Sequence, residues 1–344
     1  MLEKHNAILL IYTGGTIGMI NKPGTDTLVP VDFNEIEAQI PEIRRFNFRI
    51  DSHTFIPAID SSNVDTGFWI KLATIIKNNY DDYDGFVVLH GTDTMAYSAS
   101  ALSFLLENLG KPVIFTGSQL PVGVLRTDGK ENLISAIEIA AESFDSKPAV
   151  PEVCIFFQNH LLRGNRTTKF NAEFFNAFRS YNYPLLAETG INIKYNFNSI
   201  RSEINDLPLS ISPAMNRDVG ILKVFPGMTG DWVSSCLKTK GLRALVLETY
   251  GTGNATTEDW FLKEIERAIG NGIIIINVSQ CQAGSVKPGV YETSRRLHEY
   301  GLINGRDITS EAALTKLMYL LGKGLDSNEI KLSLNKSLRG EITI

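Results

Sequence analysis

The chain has 344 residues, of which 43% are hydrophobic and 21% are charged, and its formal net charge is -5. This length and apolar content suffice for two buried cores, and the composition is typical of a globular protein. The longest basic runs are the pairs Arg44–Arg45 and Arg295–Arg296. Nothing in such a chain matches a phosphate backbone or an anionic membrane surface, so neither nucleic acid nor membrane is an expected partner.

Cysteine usage and hydropathy indicate where the protein works. Cys154, Cys236 and Cys281 are odd in number and widely spaced, which favours a reducing compartment. The apolar N-terminal run stops at a Thr-Gly-Gly turn and lacks a cleavage pattern, so we interpret it as a strand and not as a signal peptide. No segment approaches the roughly 20 apolar residues of a membrane helix. We expect a soluble, cytoplasmic protein.

Short apolar runs alternate with helical patterns in the N-terminal half. Strands are predicted for AILLIY, FVVLH, PVIFTG and VCIFF, and helices for DTGFWIKLATIIKNNY, TMAYSASALSFLLENL and ENLISAIEIAAESF. This alternation is typical of an α/β fold with a mostly parallel sheet, and continuous apolar runs indicate strands covered on both faces.

The regular pattern stops between about Leu185 and Arg217, where we predict at most a hairpin. It resumes with the strands VGILKVF, ALVLETYG and IIIINVSQC, the helices around WVSSCLKTK and TEDWFLKEIERAIGNG, and two C-terminal helices. We therefore predict a larger N-terminal α/β domain over 1–190, a linker over 191–217, and a smaller βαβαβ, Rossmann-like domain over 218–344.

Loops rich in glycine and hydroxyl residues follow the predicted strands. They read TGGTIG, GTDT, GSQLP, YGTGN and QCQAG in chain order. Ligands of open parallel sheets bind at the carboxyl ends of the strands, so these loops are the predicted site.

The TGGTIG loop has two ordinary interpretations. It is either a simple turn or a dinucleotide fingerprint, because Thr13, Gly15 and Gly18 follow the G-x-G-x-x-G spacing apart from the first glycine. The fingerprint requires a helix that starts at the loop, and Pro23 and Pro30 forbid a continuous one. We interpret the segment after the loop as a lid over the end of the strand.

The HGTDT loop precedes an amphipathic helix. Capping is expected from one of Thr92, Asp93 and Thr94, but it does not use all three. A hydroxyl beside a carboxylate is also what activation of a nucleophile requires. His90 is expected to be a packed structural residue, and the five histidines show no metal-ligand spacing. Hydroxyls, a carboxylate and a lysine remain as the candidate chemistry.

Four motifs in this order are highly specific together. TGGTIG, HGTDTM, RGNRTTK at 163–169 and SLRGE at 337–341 resemble the L-asparaginase family, in its cytoplasmic bacterial type I branch, over nearly the whole chain. The resemblance implies hydrolysis of the side-chain amide of L-asparagine to L-aspartate and ammonia, without a cofactor or a metal.

The resemblance also implies catalytic roles. Thr16, the second threonine of TGGT, corresponds to the nucleophile, and Thr92, Asp93 and Lys169 correspond to the group that activates it. Hydroxyl attack on an amide is weak until its proton is removed, and Lys169 could accept that proton through Thr92 if it lay in a dry site. The alternative for Lys169 is an ordinary solvated charge.

Substrate binding is implied at further positions. Asp60 and Ser61, together with Thr92 and Asp93, correspond to residues that hold the amino and carboxylate ends of the substrate, and Asn254 to a residue supplied by a partner subunit. A homodimer or homotetramer is therefore expected. Without the resemblance, Asp60 and Ser61 would be interpreted as a helix cap and Asn254 as part of a glycine turn.

The chain departs from the family pattern at two positions. Leu28 stands where some members have a lid tyrosine, and Tyr291 is our candidate substitute, with packing at a helix start as its alternative. Glu248 stands where regulated cytoplasmic relatives use an arginine, and a carboxylate cannot replace that cation. Effector activation of that kind is predicted to be missing or altered.

Two other functions compete with this interpretation. A related amidotransferase subunit releases ammonia from glutamine, but it has an additional N-terminal domain, whereas this chain starts directly at its first strand. A non-catalytic amino-acid-binding module is the other, and it would not need both Thr16 and Thr92.

Overall fold

A computed structural model describes residues 6–21, 28–30, 33–202, 207–287, 289 and 292–344. The chain forms two compact units, one that extends to Ile211 and one from Ser212 to Ile344.

The first unit is built on an eight-stranded sheet. Its strands are β1 (Ala7–Tyr12), β2 (Arg49–Thr54), β3 (Gly85–Leu89), β4 (Val113–Thr116), β5 (Val153–Phe157), β6 (His160–Arg163), β7 (Ala187–Thr189) and β8 (Ile193–Tyr195). They lie in the order β8-β7-β6-β5-β4-β3-β1-β2. The first five strands run parallel, and β6, β7 and β8 extend the sheet as antiparallel neighbours. The predicted mostly parallel sheet is confirmed.

The strand order creates a crevice at one place. The chain leaves β1 to form β2 on one side, and then returns to form β3 on the other side of β1. In doubly wound sheets such a switch point, at the carboxyl ends of the strands, is where ligands bind. TGGTIG follows β1 and HGTDT follows β3, so both loops lie at this switch point.

Helices and short ladders complete the first unit. The α-helices are α1 (Phe33–Gln39), α2 (Thr66–Asn78), α3 (Met95–Leu105) and α4 (Gly129–Ala141). Two-stranded ladders pair Met19–Asn21 with Leu28–Pro30, Leu106–Glu107 with Ser210–Ile211, Ser143–Phe144 with Lys147–Pro148, and Thr168–Lys169 with Phe178–Arg179. Every residue of β1, β3, β4 and β5 is buried, as the continuous apolar runs predict.

The second unit has a four-stranded, fully parallel sheet. Its strands, in spatial order, are β9 (Val219–Lys223), β10 (Ala244–Thr249), β11 (Ile274–Ser279) and β12 (Ile303–Asn304). Its helices are α5 (Gly230–Leu237), α6 (Asp259–Gly270), α7 (Glu292–Glu299), α8 (Ser310–Gly322) and α9 (Ser327–Leu334). The predicted βαβαβ arrangement is present, with a fourth strand added.

The structure also differs from the predicted elements. Three described helices, α7, α8 and α9, follow β11, where the sequence predicts two. The edge strand β2 was not predicted, because its sequence RIDSHT is polar and partly exposed and shows no apolar run. The predicted hairpin is present as β7 and β8, which lie at the edge of the large sheet.

A buried ion pair holds the end of the described chain in the second unit. Lys316 of α8 and Glu341 are both fully buried, with 2.6 Å between Lys316 Nζ and Glu341 Oε1. Lys316 Nζ also donates to the carbonyl oxygen of Lys336, and Glu341 accepts from the backbone N–H groups of Leu338 and Arg339. The SLRGE motif is therefore folded around its own glutamate.

Within the described residues, no helix is both long enough and apolar enough to cross a membrane. All three cysteines are free thiols.

Candidate active site

The glycines of the TGGTIG loop are required by the packing of its backbone. Gly14 and Gly15 have φ values of 131° and 92°, which side chains rarely tolerate. A Cβ atom on Gly14 would lie 2.2 Å from the carbonyl oxygen of Ile59, and one on Gly15 would lie 2.5 Å from Gly91 Cα. The bare backbone thus lets two neighbouring segments approach this loop closely.

The two threonines of this loop have different environments. Thr13 is buried and its hydroxyl donates to the carbonyl oxygen of Leu89 over 2.8 Å, so it ties the end of β1 to β3. Thr16 is half-buried and begins a 3-10 turn, Thr16–Gly18, which leads into a strand. Because no α-helix starts here, the dinucleotide fingerprint is excluded.

A second segment, residues 59–61, packs against both loops of the switch point. The N–H of Ile59 donates to the carbonyl oxygen of Thr13 over 2.8 Å. A Cβ atom on Gly91 would lie 2.5 Å from Ser61 Oγ, so Ser61, which is buried, lies directly against the HGTDT loop. Backbone contacts thus bring Ser61 to the same place as the loops that hold Thr16 and Thr92.

Asp60 is exposed and caps the short 3-10 turn Ser61–Asn63. Its Oδ1 accepts from the backbone N–H and from the hydroxyl of Ser62, both over 2.9 Å. These two hydrogen bonds, the backbone one first, lower the pKa of Asp60. The carboxylate therefore stays charged near neutral pH. The helix that follows, α2, has Asp65 as its N-cap instead.

The three polar side chains of the HGTDT loop do not cap α3. Thr94 occupies the N-cap position without a side-chain hydrogen bond to the helix, and its hydroxyl donates instead to the carbonyl oxygen of Ser61 over 2.7 Å. The expected cap is therefore wrong, because the side chains of Thr92, Asp93 and Thr94 find partners on other segments.

Lys169 contacts both functional side chains of that loop. Its Nζ lies 2.8 Å from Thr92 Oγ1 and 2.7 Å from Asp93 Oδ1. The Lys169 side chain is 18% exposed, whereas Asp93 is 68% exposed. Three residues that are far apart in the sequence thus form one hydroxyl, ammonium and carboxylate cluster. Lys169 is not a solvated charge.

The RGNRTTK segment has a rigid base that positions Lys169. Arg163 at the end of β6 forms a buried pair with Glu152, with 2.5 Å between Arg163 Nε and Glu152 Oε2. The Thr167 hydroxyl donates back to the Arg163 carbonyl oxygen over 2.7 Å. A Cβ atom on Gly164 would lie 3.0 Å from Ala99 Cβ, so this turn packs closely on α3. The turn therefore presents Lys169 to the loop that precedes the same helix.

His90 is a packed structural residue, as expected. It is 1% exposed, and burial lowers its pKa to about 4. The neutral ring donates from Nδ1 to the Gly91 carbonyl oxygen over 2.7 Å and accepts at Nε2 from the Ser98 hydroxyl over 2.9 Å. Trp69 Nε1 donates to the same hydroxyl. His90 thus supports the HGTDT backbone from the protein interior.

Two residues singled out in the sequence lie in the second unit. Asn254 is half-buried in a turn closed by two 2.8 Å backbone hydrogen bonds with Tyr250, and its Oδ1 accepts from the N–H of Ala255. Glu248, near the end of β10, accepts from the Ser310 hydroxyl over 2.5 Å and lies 3.9 Å from Lys223 Nζ. Its carboxylate is therefore already engaged within this unit.

The structure describes Leu28, a predicted lid position, but not Tyr291, a predicted catalytic residue. Tyr291 lies outside the described residues. Leu28 begins the strand Leu28–Pro30, which pairs with Met19–Asn21 directly after the TGGTIG loop.

Gln119 adjoins the cluster and has no role in the sequence-based interpretation. It belongs to the GSQLP loop after β4, and its Oε1 lies 3.3 Å from Thr92 Oγ1. The sequence signal for Gln119 was its position in a loop that directly follows β4, the strand next to β3.

Comparison with known proteins identifies the family. A family model described as the N-terminal part of asparaginase matches residues 7–201, and one described as the glutaminase/asparaginase C-terminal domain matches residues 218–333. L-asparaginase 1 of Escherichia coli K12 is 44% identical over 98% of both chains. The chain belongs to the asparaginase family, as the loop motifs predict.

Two further relatives extend this comparison. The crystal structure of L-asparaginase I from Vibrio cholerae matches with a TM-score of 0.90 at 41% identity, and it covers 99% of this chain and 100% of that one. A human protein named 60 kDa lysophospholipase is 41% identical over 98% of this chain and 61% of its own length.

The close approach of the Gly15 and Gly91 backbones can be tested by adding one methyl group. Gly15→Ala is expected to lower the free energy of unfolding by about 3 kcal/mol or more, because steric overlap adds to backbone strain. Gly272→Ala is the matched control, since Gly272 has a φ of 89° and no atom within 4 Å of its Cβ position. The control should lose only about 1–2 kcal/mol in denaturant unfolding. Equal losses would contradict the packing argument.

The burial of neutral His90 predicts a pH dependence of stability. The unfolded chain binds a proton at His90 below about pH 6.5, whereas the folded protein resists it down to about pH 4. The free energy of unfolding should therefore fall by about 3 kcal/mol as the pH drops through this window. Urea unfolding at fixed protein concentration measures it. His90→Gln should remove this part of the slope, and an unchanged slope in that variant would refute the assignment.

Proposed function

We propose that this protein hydrolyses the side-chain amide of L-asparagine to L-aspartate and ammonia, with Thr16 as the nucleophile. Membership of the asparaginase family and the L-asparaginase names of its relatives support the reaction. The observation that carries the catalytic assignment is the contact of Lys169 Nζ with both Thr92 Oγ1 and Asp93 Oδ1, on a loop that packs against the TGGTIG backbone.

Asparagine is a zwitterion, and the groups of this site complement its two charges. Asp60 and Asp93 are exposed carboxylates next to the switch point, and the lowered pKa of Asp60 keeps it negative for the substrate ammonium group. The hydroxyls of Ser61 and Thr92 are suitable donors to the substrate carboxylate. These four residues are the proposed substrate-binding set.

The proposed chemistry has two acyl-transfer steps. Thr16 Oγ1 attacks the amide carbon while its proton passes towards Thr92, which can pass its own proton to uncharged Lys169. Ammonia leaves with a returned proton, and water then hydrolyses the threonyl ester to release aspartate. Asp93 holds Lys169 in place. Donors to the developing oxyanion are typically worth about 3 kcal/mol each. No step requires a metal or a cofactor.

The proposed complete site includes Asn254 from a second copy of the chain, so we propose a homodimer or a homotetramer. The family resemblance supports this, and Asn254 lies in a glycine turn at the carboxyl end of β10, where the sheet places binding loops. Tyr291 remains the proposed second hydroxyl near the nucleophile. A cytoplasmic location is proposed from the three free thiols.

The catalytic assignment is tested with ammonia release from L-asparagine and, separately, from L-glutamine. Thr16→Val keeps the shape of the side chain but removes the hydroxyl, so asparagine turnover should fall by about a thousandfold or more. Thr16→Ser is the matched control, because it keeps the hydroxyl and should retain measurable turnover. Circular dichroism verifies that both variants are folded.

Other outcomes would point elsewhere. Asparagine turnover by Thr16→Val at the wild-type rate would refute the assignment of Thr16 as the nucleophile. A hydroxyl nucleophile also attacks esters, so lysophosphatidylcholine is included as a substrate in view of the human relative's name. Release of fatty acid from lysophosphatidylcholine, without release of ammonia from asparagine or glutamine, would mean that the protein hydrolyses esters and not the proposed amide.

Sharing of the site between subunits is tested by co-expressing Thr16→Val with Asn254→Ala. Each variant alone should be nearly inactive. In a mixed dimer one of the two sites combines the intact Thr16 of one subunit with the intact Asn254 of the other, so a mixed dimer should have about half of wild-type activity. Random pairing makes about half of the dimers mixed, so the co-expressed population should recover about a quarter. No recovery in verified mixed oligomers would place both residues in the site of a single chain.

A further inference from the structure

A line of hydrogen bonds runs from Lys169 past Thr92 to a residue that has no role in the proposed reaction. Lys169 Nζ lies 2.8 Å from Thr92 Oγ1, and Thr92 Oγ1 lies 3.3 Å from Gln119 Oε1. Gln119 Nε2 in turn lies 3.3 Å from the carbonyl oxygen of Phe174. The amide of Gln119 thus lies between the hydroxyl of Thr92 and a backbone carbonyl.

The direction of this line follows from its two ends. The Phe174 carbonyl oxygen only accepts, so it must face the NH2 group of Gln119, and the amide oxygen must then face Thr92. A charged Lys169 has only donors, so Thr92 accepts from it. Thr92 has a single proton, which it therefore donates to Gln119.

The position of Gln119 is fixed through its backbone. Its N–H donates to both carboxylate oxygens of Asp128, over 3.0 and 3.1 Å, and the N–H of Leu120 donates to the same carboxylate. Asn132, which is 2% exposed, donates to Asp128 and to the carbonyl oxygen of Gly117. The GSQLP loop is thus clamped to the start of α4, and the Gln119 side chain extends from a rigid base.

We propose that Gln119 is a positioning residue that holds the Thr92 proton away from Lys169 while Lys169 is charged. In the proposed reaction Thr92 takes a proton from the nucleophile and passes its own to uncharged Lys169, so that one proton moves along each link. For this the Thr92 hydrogen must turn from Gln119 Oε1 to Lys169 Nζ. Gln119 therefore favours the charged, resting arrangement and helps to set the pH at which the relay starts.

The charged groups around this line belong to three segments. Asp93 contacts Lys169, Asp128 lies behind the backbone of Gln119, and Arg126 and Glu173 line a cavity of about 650 Å³ together with Gln119. A change of Gln119 to another uncharged residue leaves all of these charges in place. Any shift in pH dependence would then come from the lost hydrogen bond.

The test is the pH dependence of kcat/KM for L-asparagine in the wild type, Gln119→Met and Gln119→Glu. Methionine has a similar length but no oxygen, so the charged arrangement loses one hydrogen bond. The acidic limb should then move to lower pH by about half a unit to one unit. Gln119→Glu restores an acceptor opposite Thr92 and should return the limb to the wild-type midpoint or above it.

Two results would overturn the inference, which rests on the proposed function. One is a Gln119→Met rate that is lower by the same factor at every pH. The other is an acidic limb that moves to higher pH. Lack of asparagine turnover by the wild type would instead refute the proposed function itself, so the two failures are distinguishable. Thermal unfolding of each variant verifies that the fold is kept.

Discussion

The candidate site depends on direct contact between the backbones of two loops. A side chain on Gly15 would collide with the backbone of Gly91, and a side chain on Gly91 would collide with Ser61. This contact lies at the switch point between β1 and β3, where the strand order opens a crevice. A hydroxyl on one loop and a hydroxyl with a carboxylate on the other are thereby held together by main chain, which is stiffer than any pair of flexible side chains.

The third component of the site reaches it from a separate part of the fold. Lys169 follows a turn that is anchored by the buried Arg163–Glu152 pair and packed on α3, the helix that begins after Thr94. The turn that carries Lys169 packs on α3, and the loop that carries Thr92 leads directly into α3. The distance from Lys169 to Thr92 is therefore set by packed elements. His90 supports the same loop from the interior through uncharged hydrogen bonds. The polar cluster therefore has rigid supports on several sides.

The sequence predicted the buried framework better than the contacts between loops. Continuous apolar runs identify β1, β3, β4 and β5, because these strands are covered on both faces. The polar edge strand β2 has no such signal, and the sequence predicts two helices after β11 where the described residues form three. At the site, the family motifs predicted that Thr92, Asp93 and Lys169 meet. The capping expectation failed because tertiary partners outcompete the helix backbone. Gln119 was not singled out within the GSQLP loop, because its contact with Thr92 arises only from folding.

The buried pair of Lys316 and Glu341 has a consequence for folding during translation. The ammonium group of α8 lies in the interior of the second unit and finds its carboxylate only in a much later part of the chain. Until the ribosome has passed Glu341, this core holds an uncompensated charge that resists burial. The first unit contains its whole sheet before Ile211 and can fold while synthesis continues. The second unit must wait, so its completion follows that of the first during translation.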